Sequence, residues 1–269
     1  MESSLVSVAV VVVQYRLIGD RLSVWIESGS AGTSHLPMRG LRSNEDELVA
    51  VRALIDAMPF ARDVLRRASF GVFSDPARHP GQREIALGSW SIVRAANPHS
   101  TEPTIPAAGS GAIGGGGWYP LEELPALVDD HAVIVKAARR ALSNEIVNDP
   151  VTRRLLPRHL LRTRCDDFGS SDAASRSPPL FGLLPDPFPL SAIRLFYERL
   201  LGASIDRGNF RRKLVELRPT GILQELPIFQ RGVRHRAAQL FTFDQRAWER
   251  WAGSDDAAGS GTTDGGGRE

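Results

Sequence analysis

Between Val6 and Val13 only Ser7 interrupts a run of valine and alanine. β-branched side chains lose little by an extended backbone and pack well on a pleated surface, so the run reads as a strand. It is far shorter than the roughly 18 apolar residues that a membrane span needs. No basic segment precedes it, which also argues against a signal peptide. The turn Leu17-Ile18-Gly19-Asp20 and a second short run, Leu22 to Ile26, complete a β-hairpin. With 42% hydrophobic and 24% charged residues, the 269-residue chain can bury a substantial core. The lone cysteine, Cys165, excludes an internal disulfide framework and a cysteine metal cluster. The expected setting is the cytoplasm, with no membrane contact.

Further elements follow from periodicity. Glu45 to Met58 places Leu48, Val51, Leu54 and Ile55 at helical spacing. Phe70 to Phe73 and Ile85 to Val93 read as strands. Asn97 to Gly117 is rich in Gly, Pro, Ser and Ala and reads as a loop. Asp129 to Ile146 is a second amphipathic helix. Pro157 to Pro187 is irregular and is the candidate linker. After Ala252 the composition turns to Gly, Ser, Thr and Asp, a disordered-tail signature. These features divide the chain into a first domain (1–154), a linker (155–187), a second domain (188–252) and a tail (253–269).

The segment Leu36-Pro37-Met38-Arg39-Gly40 and the helix containing Arg52-Ala53-Leu54-Ile55-Asp56-Ala57 resemble the Nudix box, a Leu-Pro-Gly-Gly turn before a glutamate-bearing helix. In that family the glutamates hold divalent metal against a pyrophosphate. Here Ala53, Ala57 and Asn44 stand at glutamate positions, and Asp56 alone keeps a carboxylate at a box position. Two further segments resemble Nudix-related regulators and ADP-ribose pyrophosphatases. One is Phe70-Gly71 with Asp75-Pro76-Ala77-Arg78-His79-Pro80-Gly81-Gln82-Arg83. The other is Trp118-Tyr119-Pro120-Leu121-Glu122-Glu123-Leu124-Pro125 with Asp130-His131. The resemblance implies a Nudix-like α/β/α sandwich over about residues 5–150, with no catalytic residues, no metal ligands and no cofactor. Arg52, Arg78 and Arg83 are the candidate ligand contacts, because guanidinium forks suit phosphate oxygens; the alternative for Arg78 and Arg83 is a solvated loop. His131 reads as structural.

The second domain is basic. Residues 188–252 hold twelve Lys plus Arg and six Asp plus Glu, a net +6, the footprint expected of a nucleic-acid binder. Leu190 to Leu201 carries Ile193, Phe196, Tyr197, Leu200 and Leu201 at helical spacing and ends at Gly202. Asp206 is an N-cap candidate for a second helix, Arg207 to Leu217. Ile222 to Phe229, a turn at Gln230-Arg231-Gly232 and Val233 to Phe243 form a hairpin. Tyr197-Glu198, Leu201-Gly202 and Asp206-Arg207-Gly208-Asn209-Phe210-Arg211-Arg212-Lys213 resemble the DNA-binding signature of the Nudix-related regulators of NAD and sugar metabolism. The implied architecture is α+β overall, a Nudix-like sandwich followed by a winged helix-turn-helix. DNA contacts would come from Arg207, Asn209, Arg211, Arg212 and Lys213 on the helix and from Arg231, Arg234 and Arg236 on the wing. For Asn209, bracing the fold is an equal alternative.

The resemblance implies a homodimeric transcriptional regulator. It would bind a double-stranded operator and sense an ADP-ribose-like or phosphorylated metabolite. Two rivals stand beside it. One is a Nudix-type nucleoside-diphosphate-sugar hydrolase with a displaced metal site at Glu45, Glu47 and Asp56. The other is a nucleotide-binding adaptor whose winged helix contacts protein. The box substitutions argue against the first rival and the arginine-rich helix against the second.

Overall fold

A computed structural model describes residues 6–29, 32–79, 82–95, 115–161, 178–230 and 237–254. The chain divides into two compact units. One comprises residues 1–143 with 182–185, and the other comprises 144–181 with 186–269. None of the described helices is long and apolar enough to cross a membrane.

The first unit is built on a mixed sheet. Its strands are β1 (Ser7–Ile18), β2 (Arg21–Ser28), β3 (Ser34–His35), β4 (Met38–Gly40), β5 (Val64–Phe73), β6 (Glu84–Val93) and β7 (Gly116–Pro120). The order is β3-β2-β1-β6-β5, with β4 also on β1 and β7 on β2. Only β1 and β6 run parallel; the other pairs are antiparallel. The expected hairpin is present, but Leu17 and Ile18 extend β1 and the turn contracts to Gly19-Asp20. Gly19 has φ 61°, a left-handed backbone that glycine adopts without steric cost. Residues 9–17 of β1 are all buried, so both faces of the strand are covered.

Helix α1 (Glu47–Asp56) starts at Asp46, whose carboxylate accepts the Leu48 N–H at 2.8 Å. It packs Ala50, Val51, Leu54 and Ile55 onto Val10, Val12, Trp25, Trp118 and Val93. Helix α2 (His131–Asn148) buries Ile134, Ala138, Leu142 and Ile146. Strand β5 begins six residues before Phe70, because Leu65-Arg66-Arg67 lie on a sheet edge and carry no apolar alternation. At the other end of the Gly-rich stretch, Gly116 and Gly117 are strand residues. A Cβ on Gly116 would sit 2.4 Å from the Trp25 indole, so only glycine lets β7 approach β2 there. Residues 97–114 of that stretch lie outside the described residues.

In the second unit, α3 (Pro150–Leu155) is capped by Asp149, whose carboxylate accepts the Val151 and Thr152 N–H groups. The last residues of α2, from Asn144, also belong to this unit. Next come α4 (Pro179–Leu183), β8 (Phe188–Pro189), α5 (Leu190–Leu201), α6 (Arg207–Leu217), β9 (Leu223–Phe229), β10 (Gln239–Phe243) and α7 (Gln245–Ala252). The three strands form an antiparallel sheet in the order β8-β10-β9. Helix, strand, two helices and a hairpin in this order are a winged helix-turn-helix. Its core holds Phe188, Ile193, Tyr197, Phe210, Leu214 and Trp248, and Phe181 stacks on Phe243 at 4.3 Å between centroids. Gly202 ends α5 with φ 63°, and Asp206 accepts the Asn209 N–H at 2.8 Å.

Three details differ from expectation. β10 is Gln239–Phe243, so Ala237 and Ala238 of the expected strand lie before it, and the Gln230 N–H donates to the Ala238 carbonyl; residues 231–236 lie outside the described residues. Helix α7 was not foreseen, since its apolar positions are few; Ala247, Trp248 and Trp251 alone bury it. Within the expected irregular stretch 157–187, α4 and a short 3-10 turn at Arg158–Leu160 are ordered. Residues 162–177 and 255–269 lie outside the described residues.

Candidate nucleic-acid interface and sensor site

Helix α6 buries Phe210, Leu214 and Leu217 and turns the rest outward. Arg207 and Arg211, one helical turn apart, are exposed and have no ion-pair partner among the described residues. Exposed Arg212 donates to Asn209 Oδ1 at 3.3 Å and lies 3.9 Å from Glu216. Such exposed pairs are worth little and are readily exchanged for phosphate. Gly208 and half-exposed Val215 share the outward surface. An amphipathic helix with a guanidinium-lined outer face suits the major groove, because its arginines can reach phosphates and guanine edges.

Lys213 departs from the expected trio. Its ammonium donates to the Leu156 carbonyl at 3.1 Å, at the end of α3, and burial pulls its pKa below the usual lysine value. It pins α6 to α3 and is turned away from the outer face. Tyr197 of α5 is tied to α3 in the same way, by a 2.8 Å hydroxyl bond with Thr152. Arg218 folds back onto the hairpin, 3.3 Å from Glu225 and over the Phe241 ring. Arg231, Arg234 and Arg236 lie outside the described residues.

The three arginines expected to meet a ligand have separate roles. Arg78 is only 6% exposed, and its guanidinium is fully engaged. Nε and Nη2 donate to the two Asp130 oxygens at 3.0 Å each, and Nη1 donates to Glu84 at 2.5 Å. Burial opposes its charge, but the two carboxylates more than offset this and hold its pKa above the ordinary arginine value. Arg78 therefore ties the loop after β5 to the start of α2 and of β6. Arg83 donates to the Ser74 carbonyl at 2.6 Å. Arg52 is exposed on α1 and pairs with Asp56 at 3.7 Å.

The carboxylates of the displaced-metal alternative are likewise dispersed. Glu45 accepts from Arg39 at 2.8 Å, Glu47 accepts from the Ser69 hydroxyl at 3.0 Å, and Asp56 faces Arg52. Among the described residues no three His, Cys, Asp or Glu side chains are close enough together to hold a metal ion.

His131 is buried at the start of α2, where its Nδ1 accepts the Leu36 N–H at 2.9 Å. Burial lowers its pKa, so the folded state holds the ring neutral. The unfolded chain takes up a proton as pH falls through about 6.5, and the folded chain does not follow. Stability should therefore be constant above about pH 7. Below pH 6.5 it should fall by at most roughly 1.4 kcal/mol per pH unit until the folded ring itself titrates. Thermal melts of wild type and His131→Gln from pH 5 to 8 test this; equal pH dependence in both would remove His131 as the cause.

The sheet face beneath α1 holds polar residues that pattern reading passed over. Gln14 and Arg16 continue the face of Val10 and Val12, since alternate strand residues share a side. Gln14 lies beside Ser91 across the β1–β6 pair, and both are 0% exposed. Neither Gln14 amide atom nor the Ser91 hydroxyl has a hydrogen-bond partner among the described residues. An unsatisfied buried polar group costs about 1–3 kcal/mol. The available signal was a glutamine and an arginine two apart, directly after four valines.

Comparison with known proteins fits this geometry. The model of the NrtR DNA-binding winged helix domain matches residues 180–243. No curated protein matches the chain. NrtR of Shewanella oneidensis, in complex with a 27mer DNA, is 17% identical with a TM-score of 0.61, over 90% of this chain and 95% of that one. Another structure of the same protein gives 0.58 at 17% identity and the same coverage. A MutT/nudix family protein from Enterococcus faecalis gives 0.54 at 14% identity, over 90% of this chain and 89% of that one. The chain thus shares the fold of these proteins, a Nudix-like fold followed by a winged helix, and its residues 180–243 match the NrtR DNA-binding winged helix domain.

Proposed function

We propose that the chain is a transcriptional regulator, binding operator DNA through α6 and the wing and responding to an ADP-ribose-like or phosphorylated metabolite held by the Nudix-like domain (1–154). The observation that carries it is the outward arginine face of α6 within a winged helix that matches a DNA-binding family model. It acts as a homodimer, whose two-fold axis would place two α6 helices in successive major-groove turns of a near-palindromic site. The dispersed carboxylates and the alanines at 53 and 57 support sensing over hydrolysis.

A coupling route is supported by chain connectivity. The final turn of α2 is grouped with the winged-helix unit, and α3 follows it directly, bonded to α5 through Tyr197 and to α6 through Lys213. A ligand regulates only if it binds the DNA-competent and DNA-free states unequally. Fluorescence anisotropy with operator DNA from the flanking genes should show ADP-ribose changing affinity about 5- to 150-fold. No change at saturating ADP-ribose, with binding confirmed by calorimetry, would refute sensing of that ligand. Incubated with Mg²⁺ or Mn²⁺, the chain should release no AMP from ADP-ribose; release abolished by Asp56→Asn would favour the hydrolase.

A further inference from the structure

The winged-helix match begins at residue 180, yet the compact unit that contains it begins at Asn144. From Pro150 to Leu161 the sequence has three arginines, one histidine and no aspartate or glutamate. Helix α3 and the 3-10 turn at Arg158–Leu160 occupy this stretch, and α3 packs against α6. Lys213 Nζ donates to the Leu156 carbonyl at 3.1 Å, and Thr152 bonds the Tyr197 hydroxyl at 2.8 Å. Val151 and Leu155 are buried, so α3 stays docked even without Lys213.

These anchors fix which flank of α6 the segment adjoins. Successive helix residues turn by about 100°. Asn209, Arg212, Lys213 and Glu216, at three- and four-residue spacing, therefore share one flank, and Arg207 and Arg211 share the other. Lys213 reaches α3, so α3 lies on the Asn209 and Arg212 side. A helix in the major groove has a phosphate backbone on each side, because the groove is only about 12 Å wide. Arg207 and Arg211 suit one wall. The opposite wall falls to Arg212 and to the element beside it, which is α3.

That element presents positive charge without a carboxylate. Arg158 is exposed, and its side chain has no hydrogen bond or ion pair among the described residues. Two residues after Leu156, its Cα stands within about 7 Å of the Leu156 Cα. Arg153 is exposed as well and donates to Asn148 Oδ1, a neutral group, at 3.0 Å. Arg154 differs: its guanidinium lies 5.4 Å from the Trp251 ring centroid, toward α7. Arg21, Arg52 and Arg218, by comparison, each pair with a carboxylate. Neighbouring guanidiniums that lack one repel each other, and a row of phosphates removes that cost.

We propose that α3 and its 3-10 turn form a second DNA-contacting element, in which Arg153 and Arg158 bind backbone phosphates on the Arg212 side of α6. This rests on the reading of α6 as the DNA-binding helix. Phosphate contacts add affinity for every duplex and select no base.

The test uses the full chain with two duplexes, the operator from the flanking genes and a scrambled sequence of equal length, in salt titrations read by fluorescence anisotropy. Arg153→Gln/Arg158→Gln should weaken binding to both by the same factor. The slope of log affinity against log salt should become shallower by about 1.8, or roughly 0.9 per phosphate. Arg153→Lys/Arg158→Lys keeps both charges and should keep the wild-type slope. Both variants should melt with wild type, because the side chains are exposed. Hydroxyl-radical footprints of the glutamine variant should lose protection along one wall of the groove and keep it along the other.

A wild-type slope in the glutamine variant would overturn the proposal. A shallower slope that lysine fails to restore would make the two arginines structural and overturn it too. The DNA-binding reading fails separately. If alanine at Arg207, Arg211 and Arg212 flattens the slope and the glutamine variant does not, α6 stands and the second element falls. If wild type binds neither duplex, the reading of α6 falls and the proposal falls with it.

Discussion

Alanine at Arg207, Arg211 and Arg212 together is expected to weaken binding to every duplex sequence and to flatten its salt dependence. Each phosphate contact releases condensed counterions, and losing it reduces the slope of log affinity against log salt by roughly 0.9. Three lost contacts would make the slope shallower by about 2.7. Arg211 should matter most singly, because Arg212 must first leave Asn209 and Glu216. If Arg211 reads a guanine, its loss should also cost about 1–3 kcal/mol at one base position. Lys213→Met should behave differently. Its ammonium is spent on the Leu156 carbonyl, so affinity should drop through a displaced α6 while the salt slope stays unchanged. Salt titrations of the triple variant and of Lys213→Met decide the assignment. An unchanged slope in the triple variant removes α6 from the interface, and a slope loss near 0.9 for Lys213→Met returns that lysine to the phosphates.

Arg78→Met is the second large effect, and it concerns stability. The substitution strips the partner from two carboxylates that converge on one buried guanidinium. Breaking such a buried ion pair by removing one member costs about 3–5 kcal/mol, because the remaining charge stays desolvated. Lysine should not restore it, since a single ammonium cannot replace the forked contact to both Asp130 oxygens. Denaturant unfolding followed by circular dichroism measures the loss. A variant with wild-type stability and weakened ADP-ribose binding would put Arg78 back at the ligand.

Element type was legible wherever one local rule dominated. Four successive valines could only be strand, and the apolar stripe of α5 with Gly202 behind it could only be a helix with its stop. The cap at Asp206 followed from its own side chain and the next three residues. Helix α7 and the start of β5 escaped because their few apolar positions gain meaning only from neighbours on other strands. The functional helix was readable as a segment, since the arginines and the buried stripe of α6 lie within eleven residues.

Which of those charged side chains is available was not readable, and here the tertiary structure alone decided. Arg78 meets Asp130 across 52 residues, Lys213 meets Leu156 across 57, and Gln14 stands beside Ser91 from a distant strand. Sequence determined individual strands and helices and a basic second domain, because periodicity, turn residues and caps act within a few positions, while the Nudix-like and winged-helix arrangement was what the family resemblance implied. The engaged state of a guanidinium or ammonium depends on what the folded chain brings to it. Arg211 and Lys213, two residues apart on one helix, thus face different surroundings: one is exposed with no ion pair among the described residues, the other is bonded inward.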